Sequence, residues 1–428
     1  MSDSSAQHPL RIPAFRAYFA ARLGLTLGIT SLVLVIGWQV YGIARETLSI
    51  KESAFLLGLV GLAQFAPLFV LTPVTGWVAD RYDRRLIARA MMMLYALIAG
   101  TLALASLEGW VDLWLLFLMA GLIGVARAFS GPAMSALAPN LVPKAVLPTA
   151  IAINSIAWQT GSIAGPGIGG ILLGYGPDVA YLASFLLFTG ALFSFFVIGH
   201  VPQPLMDREL HPIRQMIDGL TYVRRNRMVF STITLDLFAV LLAGSTALLP
   251  VFARDILHVG PQGLGLLAAA PAAGATLMAL WFSFRPMSDN VGLKMLGAVI
   301  LFGLATIIFG LSTIFWVSLA ALFVAGACDM VSVYVRQTLI QIYTPDAMRG
   351  RVSSVSQMTI SASNELGEAE SGFLAALIGP VGAVVAGGVG AIVITLAWAG
   401  LFPELRLAKS FDPPKMPDSE PPAKEQPS

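Results

Sequence analysis

Twelve stretches of predominantly apolar residues fill most of this chain, at 15–44, 53–79, 86–106, 111–137, 147–174, 178–200, 229–253, 262–284, 291–312, 315–343, 351–379 and 382–403. A helix needs about 20 such residues to cross the hydrocarbon core of a bilayer. Hydrocarbon offers the backbone no hydrogen-bond partner, so each crossing segment must satisfy its own groups, which favours helices. Charged residues make up only 12% of the chain, against about 25% in soluble globular domains. The expectation is an all-α membrane protein with twelve transmembrane helices.

Net charge is +2 and says little, whereas the placement of Lys and Arg sets orientation, because cytoplasmic loops carry the excess. Of the 26 basic residues, twenty fall in the termini and alternate loops, including Arg11, Arg16, Arg81, Arg84, Arg85, Lys144, Arg224, Arg225, Arg285, Arg349 and Lys409. The opposite loops hold only Arg45, Lys51 and Arg254. Both termini and the central connector are therefore expected on the cytoplasmic side. The first 14 residues are polar and the first apolar window is long enough to span, so a cleaved leader is not expected.

Six spans, a polar connector and six more spans divide the chain into an N-terminal six-helix bundle (1–200), a linker (201–228), a C-terminal six-helix bundle (229–403) and a disordered tail (404–428). The connector begins with Pro202, Pro204 and Pro212 and ends with Arg224-Arg225-Asn226-Arg227, which suits a segment lying on the membrane surface or a solvated tether. The tail has Pro413-Pro414, Pro417, Pro421-Pro422 and Pro427 without apolar periodicity. A shift of 205 residues lays Ala120-Gly121 on Ala325-Gly326, Lys144 on Arg349 and Gly174 on Gly379, a weak internal repeat. Transporters built from two parallel repeats show such symmetry. The single cysteine, Cys328, lies within a window and reads as packing, since one cysteine closes no intrachain disulfide.

Between the second and third windows stands Gly76-Trp-Val-Ala-Asp80-Arg81-Tyr82-Asp83-Arg84-Arg85, a charged hinge at one membrane face. Inside the fifth window stands Gly161-Ser-Ile-Ala-Gly165-Pro166-Gly167-Ile-Gly169-Gly170. Small residues there let helix backbones approach, and the proline removes a ladder hydrogen bond.

The first stretch resembles the cytoplasmic signature of the major facilitator superfamily, with Gly76, Asp80, Arg81, Arg84 and Arg85 in place and Asp83 where a second glycine is usual. That departure leaves the tight turn open. The resemblance implies that Asp80 engages the start of the eleventh helix, where free N–H groups favour an anion, and latches the outward-open state. The second stretch resembles the antiporter motif of the same superfamily at Gly161, Gly165, Pro166, Gly169 and Gly170, and implies proton-linked export; a plain glycine packing seam explains the same letters. Ala126–Met134, Trp38–Tyr41, Asp329–Ser332, Arg336–Leu339, Thr344–Val352 and Asn364–Glu368 are similar to a siderophore-exporting branch of the superfamily. The likeness runs from about 11 to 406.

Charges inside the windows carry an independent argument, because an ionised side chain at mid-helix is disfavoured by about 2.5–3.5 kcal/mol on insertion scales. The basic ones are Arg22, Arg127 and Arg336, and the acids are Asp236, Asp329, Glu365, Glu368 and Glu370. Asp329, Ser332 and Arg336 share a helix face, as do Asn364, Glu368 and Ser371. Taking a carboxyl out of water favours its neutral form, and a second carboxylate nearby favours it further. Asp236, Asp329, Glu365 and Glu368 are therefore candidates for proton coupling, with bridging to Arg22 or Arg127 as the alternative for each. Arg22, Trp38, Gln39, Arg127, Asn154, Trp158, Arg336 and Asn364 are candidates for a substrate cavity of mixed polar and aromatic character. For the aromatics, anchoring at the membrane interface is the alternative.

The sequence carries no phosphate loop, no His/Cys metal spacing and no nucleophile elbow. No cofactor, no metal, no nucleic acid and no catalysis are expected, and a proton gradient supplies the energy. The resemblance implies a monomeric exporter of the bacterial inner membrane, handling a siderophore-like or other amphipathic small molecule. Broad multidrug efflux, proton-coupled import and a non-transporting sensor with the same fold stay open at this point.

Overall fold

The computed structural model describes residues 8–199 and 212–411. Its long helices follow the apolar windows. They are α1 (Pro13–Ala44), α2 (Ile50–Arg81), α3 (Arg84–Glu108), α4 (Leu113–Leu137), α5 (Leu147–Leu173) and α6 (Pro177–Val197). The short α7 (Pro212–Arg225) then leads into α8 (Arg227–Leu242), α9 (Gly260–Phe284), α10 (Val291–Leu311), α11 (Phe315–Ile342), α12 (Asp346–Ile378) and α13 (Pro380–Leu401), and the single turn α14 (Pro403–Arg406) closes the described chain. No strand occurs among the described residues. Ten helical segments among them are long and apolar enough to cross a membrane. The windows at 147–174 and 351–379 form α5 and α12, whose glycines, amides and carboxylates keep them out of that ten.

Local chemistry fixes the ends. Ser49 and Glu52 form a reciprocal capping box at the start of α2, the Glu52 N–H donating to Ser49 Oγ at 3.3 Å and the Ser49 N–H to Glu52 Oε2 at 2.9 Å. Asp83 caps α3, accepting from the Arg85 N–H at 2.9 Å, and its φ of −59° needs no glycine. The departure from the family signature at this position is thus a helix cap. Asp112 caps α4 through the Leu115 N–H at 2.8 Å, and Asn226 caps α8 through the Val229 N–H at 3.2 Å.

The first half packs α1 on α5 and α6, α3 on α4 and α6, and α2 on α4; the second packs α9 and α10 on α11, α10 on α13, and α8 on α12 and α13. The repeat is visible in this pattern. Gly121 of α4 faces α2, with room for a Cβ only 3.7 Å from the Ala63 carbonyl oxygen, and Gly326 of α11 meets the backbone of Pro271 in α9.

Two crossings join the halves, α2 on α12 and α5 on α9. At the first, a Cβ added to Gly58 would lie 2.8 Å from Gly372 Cα and 2.9 Å from the Ala369 carbonyl oxygen, so the two backbones touch. Only residues without side chains allow this approach. At the second, Gly170 has the Gly265 Cα where its own Cβ would stand, at 2.7 Å.

The window at 229–253 is not one regular helix. The α8 ladder ends at Leu242, and tighter turns at Ser245–Leu248 lead into a wider π-type turn at Phe252–Ile256. The break falls where Gly244 packs against the Gly367 backbone of α12. Irregular backbone at membrane depth is tolerated where protein or a wet cavity surrounds it.

The connector residues 212–225 form a helix and not a loose tether. Its inner side packs on α12, with Asp218 paired to Arg351 at 3.3 Å. Residues 201–211 of the expected linker and 412–428 of the expected tail lie outside the described residues.

Candidate intramembrane charge site

At mid-length of α12, Glu365 reaches across to Arg127 of α4, with Nη1 and Oε1 2.6 Å apart. The carboxylate is 7% exposed, whereas the guanidinium keeps 37% of its side-chain surface. The arginine is thus set deep in the fold and still open on one side. One turn further on, Glu368 accepts from the Thr246 hydroxyl at 3.3 Å. Thr246 belongs to the break after α8, so that irregularity delivers a polar group to an acid of the facing helix. Gly61 of α2 leaves room for it, since a Cβ there would stand 3.1 Å from Glu368 Cβ. Four elements from both halves thus converge on two carboxylates and one guanidinium. Asn364 is exposed beside them, and Glu370 Oε2 is buried with no hydrogen-bond partner among the described residues.

The first half contributes further polar groups without protein partners. Arg22 Nε and Asn154 Oδ1 are both buried and unbonded among the described residues. The helices α1 and α5 run parallel, Gly161 against Thr26 and Gly169 against Ser31, so Asn154 lies two turns before the Gly161–Thr26 contact. Trp158, 50% exposed, is one turn further along α5. Groups of this kind are satisfied by water or by a bound polar molecule.

Other expected residues are placed elsewhere, each for a definite reason. Asp236 and Arg336, 5% and 2% exposed, pair with each other inside the second half, α8 to α11. Arg336 is therefore buried within the second half, and Asp236, a candidate for proton coupling with a bridge to Arg22 or Arg127 as the alternative, bridges instead to Arg336. Asp329 is half-buried and forms no ion pair with any described residue. The Gln39 amide is consumed within the first half, donating to Ser106 Oγ at 3.3 Å and accepting from the Tyr181 hydroxyl at 2.8 Å, so it does not serve the cavity. Trp38 lies under the Arg254 guanidinium at 5.9 Å.

That last contact belongs to a clasp that sequence reasoning missed. Asp255, in the π-type turn, accepts from the Tyr41 hydroxyl and from Arg45 Nε, the latter at 3.3 Å, and Lys51 Nζ donates to the Leu377 carbonyl at 3.1 Å. These bonds close the halves together at the face bearing the α1–α2 turn. A lone arginine and tyrosine near a span end carry no signal that an acid some 200 residues away will meet them.

The glycine–proline motif of α5 divides its work. Gly161, Gly165 and Gly169 seat α1, at Thr26, Thr30 and Ser31, while Gly170 seats α9 of the other half. Gly161 also offers its carbonyl to the Thr30 hydroxyl at 3.2 Å. In the charged hinge, Arg84 donates to the Ala136 carbonyl at 3.3 Å and Arg85 to the Ile198 carbonyl at 3.3 Å, tying α3 to the ends of α4 and α6. Gly76 and Asp80 are in the last turns of α2, their side-chain surroundings outside the described set.

Two six-helix halves crossing on glycine, with a guanidinium and two carboxyl groups meeting between them, have the architecture of a membrane transporter. The family model described as transmembrane secretion effector (MFS_3) matches residues 4–423, and the chain belongs to that family of the major facilitator superfamily. Among relatives, the enterobactin exporter EntS of Citrobacter koseri is 28% identical over 415 residues, covering 96% of each chain. EntS of Escherichia coli strain SMS-3-5 is 28% identical over 410 residues, 94% of this chain and 95% of the relative. Among solved structures, a bacterial homologue of the iron transporter ferroportin in an inward-facing state aligns with a TM-score of 0.69 at 16% identity, covering 94% of this chain and all of that one. The human organic anion transporter MFSD10 aligns at 0.63 and 16%, covering 92% and 100%. These likenesses show the fold.

Proposed function

We propose that the protein exports a small amphipathic molecule, siderophore-like in chemistry, across the bacterial inner membrane by proton antiport. The single observation that carries this is the Arg127–Glu365–Glu368 cluster, built from both halves at mid-depth. The Arg127 guanidinium attracts an anionic cargo, and the ionised Glu368 accepts a hydrogen bond from a hydroxyl of that cargo. Protonating Glu368 removes that acceptor and weakens the hold on cargo, and cargo seated on the carboxylate keeps the proton off. Cargo and protons thus alternate at one site, which is what antiport requires. The names of the relatives support a siderophore as the cargo class.

In this reading all twelve windows span, both termini are cytoplasmic, and the halves 1–200 and 229–403 rock as units about the α2–α12 and α5–α9 crossings. With the α1–α2 face clasped by Asp255, the described arrangement is the one open toward the cytoplasm. Asp80 acts in the opposite state, against the start of α12. The proton gradient is the energy source, no cofactor or metal takes part, and the monomer is the working unit. Asp329 is a second, separate protonation site.

Reconstitution in proteoliposomes with an imposed pH gradient tests this. Catecholate siderophores are expected to drive proton movement out of the lumen, and Glu368→Gln is expected to abolish proton-coupled flux while cargo binding stays measurable. Undiminished coupled flux in Glu368→Gln removes that acid from the mechanism, and cargo-independent proton movement rejects antiport.

A further inference from the structure

A cleft of about 780 Å³ opens where α7, the start of α8, the α11–α12 turn and α14 come together, at the end of the second half that bears the connector. Tyr222, Arg225, Arg227, Tyr343, Glu404 and Lys409 are among the residues lining it. Its neutral polar groups are committed to the fold. The Tyr222 hydroxyl donates to the Tyr343 carbonyl at 2.6 Å, and the Asn226 amide donates to the same carbonyl at 3.1 Å and to Tyr222 Oη at 3.2 Å. Arg227 is paired with Glu404 at 2.8 Å and stands 5.8 Å above the Phe402 ring. Arg225 and Lys409 are exposed and form no ion pair with any described residue. The cleft therefore holds three cations against one anion, and its spare donors are a guanidinium and an ammonium.

The helix beside it sets the depth of this cleft. On α7, Ile217 and Leu220 are 55% and 49% exposed and share a face with the exposed Arg224, through spacing of three and seven residues. The other face is taken up by α12, with Val223 buried and Gly219 standing where a Cβ would lie 2.8 Å from the Arg351 carbonyl oxygen. An outward apolar stripe flanked by arginine is the pattern of a helix lying in the boundary between headgroups and acyl chains. The mouth of the cleft then opens at headgroup level.

We infer that this cleft binds the phosphate of an anionic phospholipid, through Arg225 and Lys409, with Glu404 limiting the affinity by holding Arg227. Zwitterionic lipids carry the same phosphate but bring an ammonium that the two cations repel. Two basic residues strengthen attraction to an anionic lipid surface by roughly 30-fold, which sets the upper scale for the preference expected here. The inference rests on the membrane placement of the chain and not on proton antiport.

Native mass spectrometry of the purified full-length protein, titrated with phosphatidylglycerol or phosphatidylethanolamine of identical acyl chains, tests it. Wild type is expected to bind phosphatidylglycerol at least 10-fold more tightly. The double variant Arg225→Ala/Lys409→Ala is expected to bring that ratio near one with an unchanged thermal midpoint in detergent. Glu404→Gln is expected to tighten phosphatidylglycerol binding several-fold, and Arg285→Ala, at an exposed basic site after α9, to leave it unchanged. Equal binding of the two lipids by wild type, or a preference that survives the double variant, overturns the inference. Displacement of bound phosphatidylglycerol by millimolar inorganic phosphate also overturns it, because the site would then serve a soluble anion.

Discussion

Replacing Asp236 by Asn is expected to destabilise the protein severely without entering the transport chemistry. Asp236 and Arg336 pair inside the second half at 5% and 2% exposure, and Arg336 Nε has no other partner among the described residues. Removing one member of such a pair strands the other charge, which costs about 3–5 kcal/mol. For a chain of this length each kcal/mol moves a thermal midpoint by about 2 °C, so the expected fall is about 6–10 °C. Replacing both members by apolar residues of similar volume, Asp236→Leu with Arg336→Met, is expected to restore most of the loss, because neither charge is then buried. The assay is fluorescence-detected thermal unfolding of wild type, single and double variants in one detergent, followed by flux in proteoliposomes. A single variant as stable as wild type refutes the bridge. A double variant that is stable but has lost proton-coupled flux instead makes Asp236 a proton carrier.

Glu365→Gln replaces a charge-assisted bond by a neutral one, and with Arg127 partly open to the cavity the loss is about 1 kcal/mol. The population of states with separated halves should therefore rise about five-fold, read as a broadened spin-label distance between Tyr175→Cys and Leu377→Cys in a Cys328→Ala background; an unchanged distribution contradicts it. Asp255→Asn weakens the contacts to Tyr41 and Arg45 together, and should make Gly37→Cys, which faces Pro250, react faster with an impermeant thiol reagent applied at the α1–α2 face. Gly170→Leu has no space, with the Pro261 carbonyl oxygen 2.6 Å from the first added carbon; yield and flux should both fall, by the ~1–3 kcal/mol typical of overpacking, and normal flux would mean the α5–α9 crossing can slide.

The spans were legible because apolar length is a one-dimensional property, and the division into halves because the connector at 201–228 interrupts it. Arg127 and Glu365 were legible as charges in hydrocarbon that need partners. Their mutual pairing was one of the alternatives, bridging to Arg22 or Arg127, but the choice between the two arginines was not legible, since α4 and α12 meet only through the crossing of the halves. The face shared by Asp329 and Arg336 pointed to a polar partner between helices, because seven residues is too long a reach for a bridge along α11, but nothing in the pattern said which helix supplies it; α8 does, with Asp236. The break after Leu242 was masked by the apolar run Ala247–Ala253, which carries the window past Gly244-Ser245-Thr246; its cause, backbone contact between Gly244 and Gly367, exists only once α8 and α12 are packed. Gln39 and Trp38 misled for the opposite reason, being polar or aromatic in type yet already satisfied by neighbours at the clasped face.

The contact of Gly58 with Gly372 has a mechanical meaning. Where two rods touch through bare backbone, no interlocking teeth have to disengage as one rolls over the other. In the rocking motion proposed above the point of touch stays put while the far ends swing, and this crossing would serve as a bearing. Probes placed just beside it should report one unchanging separation through the whole cycle, giving an internal ruler against which every other displacement in the molecule can be read.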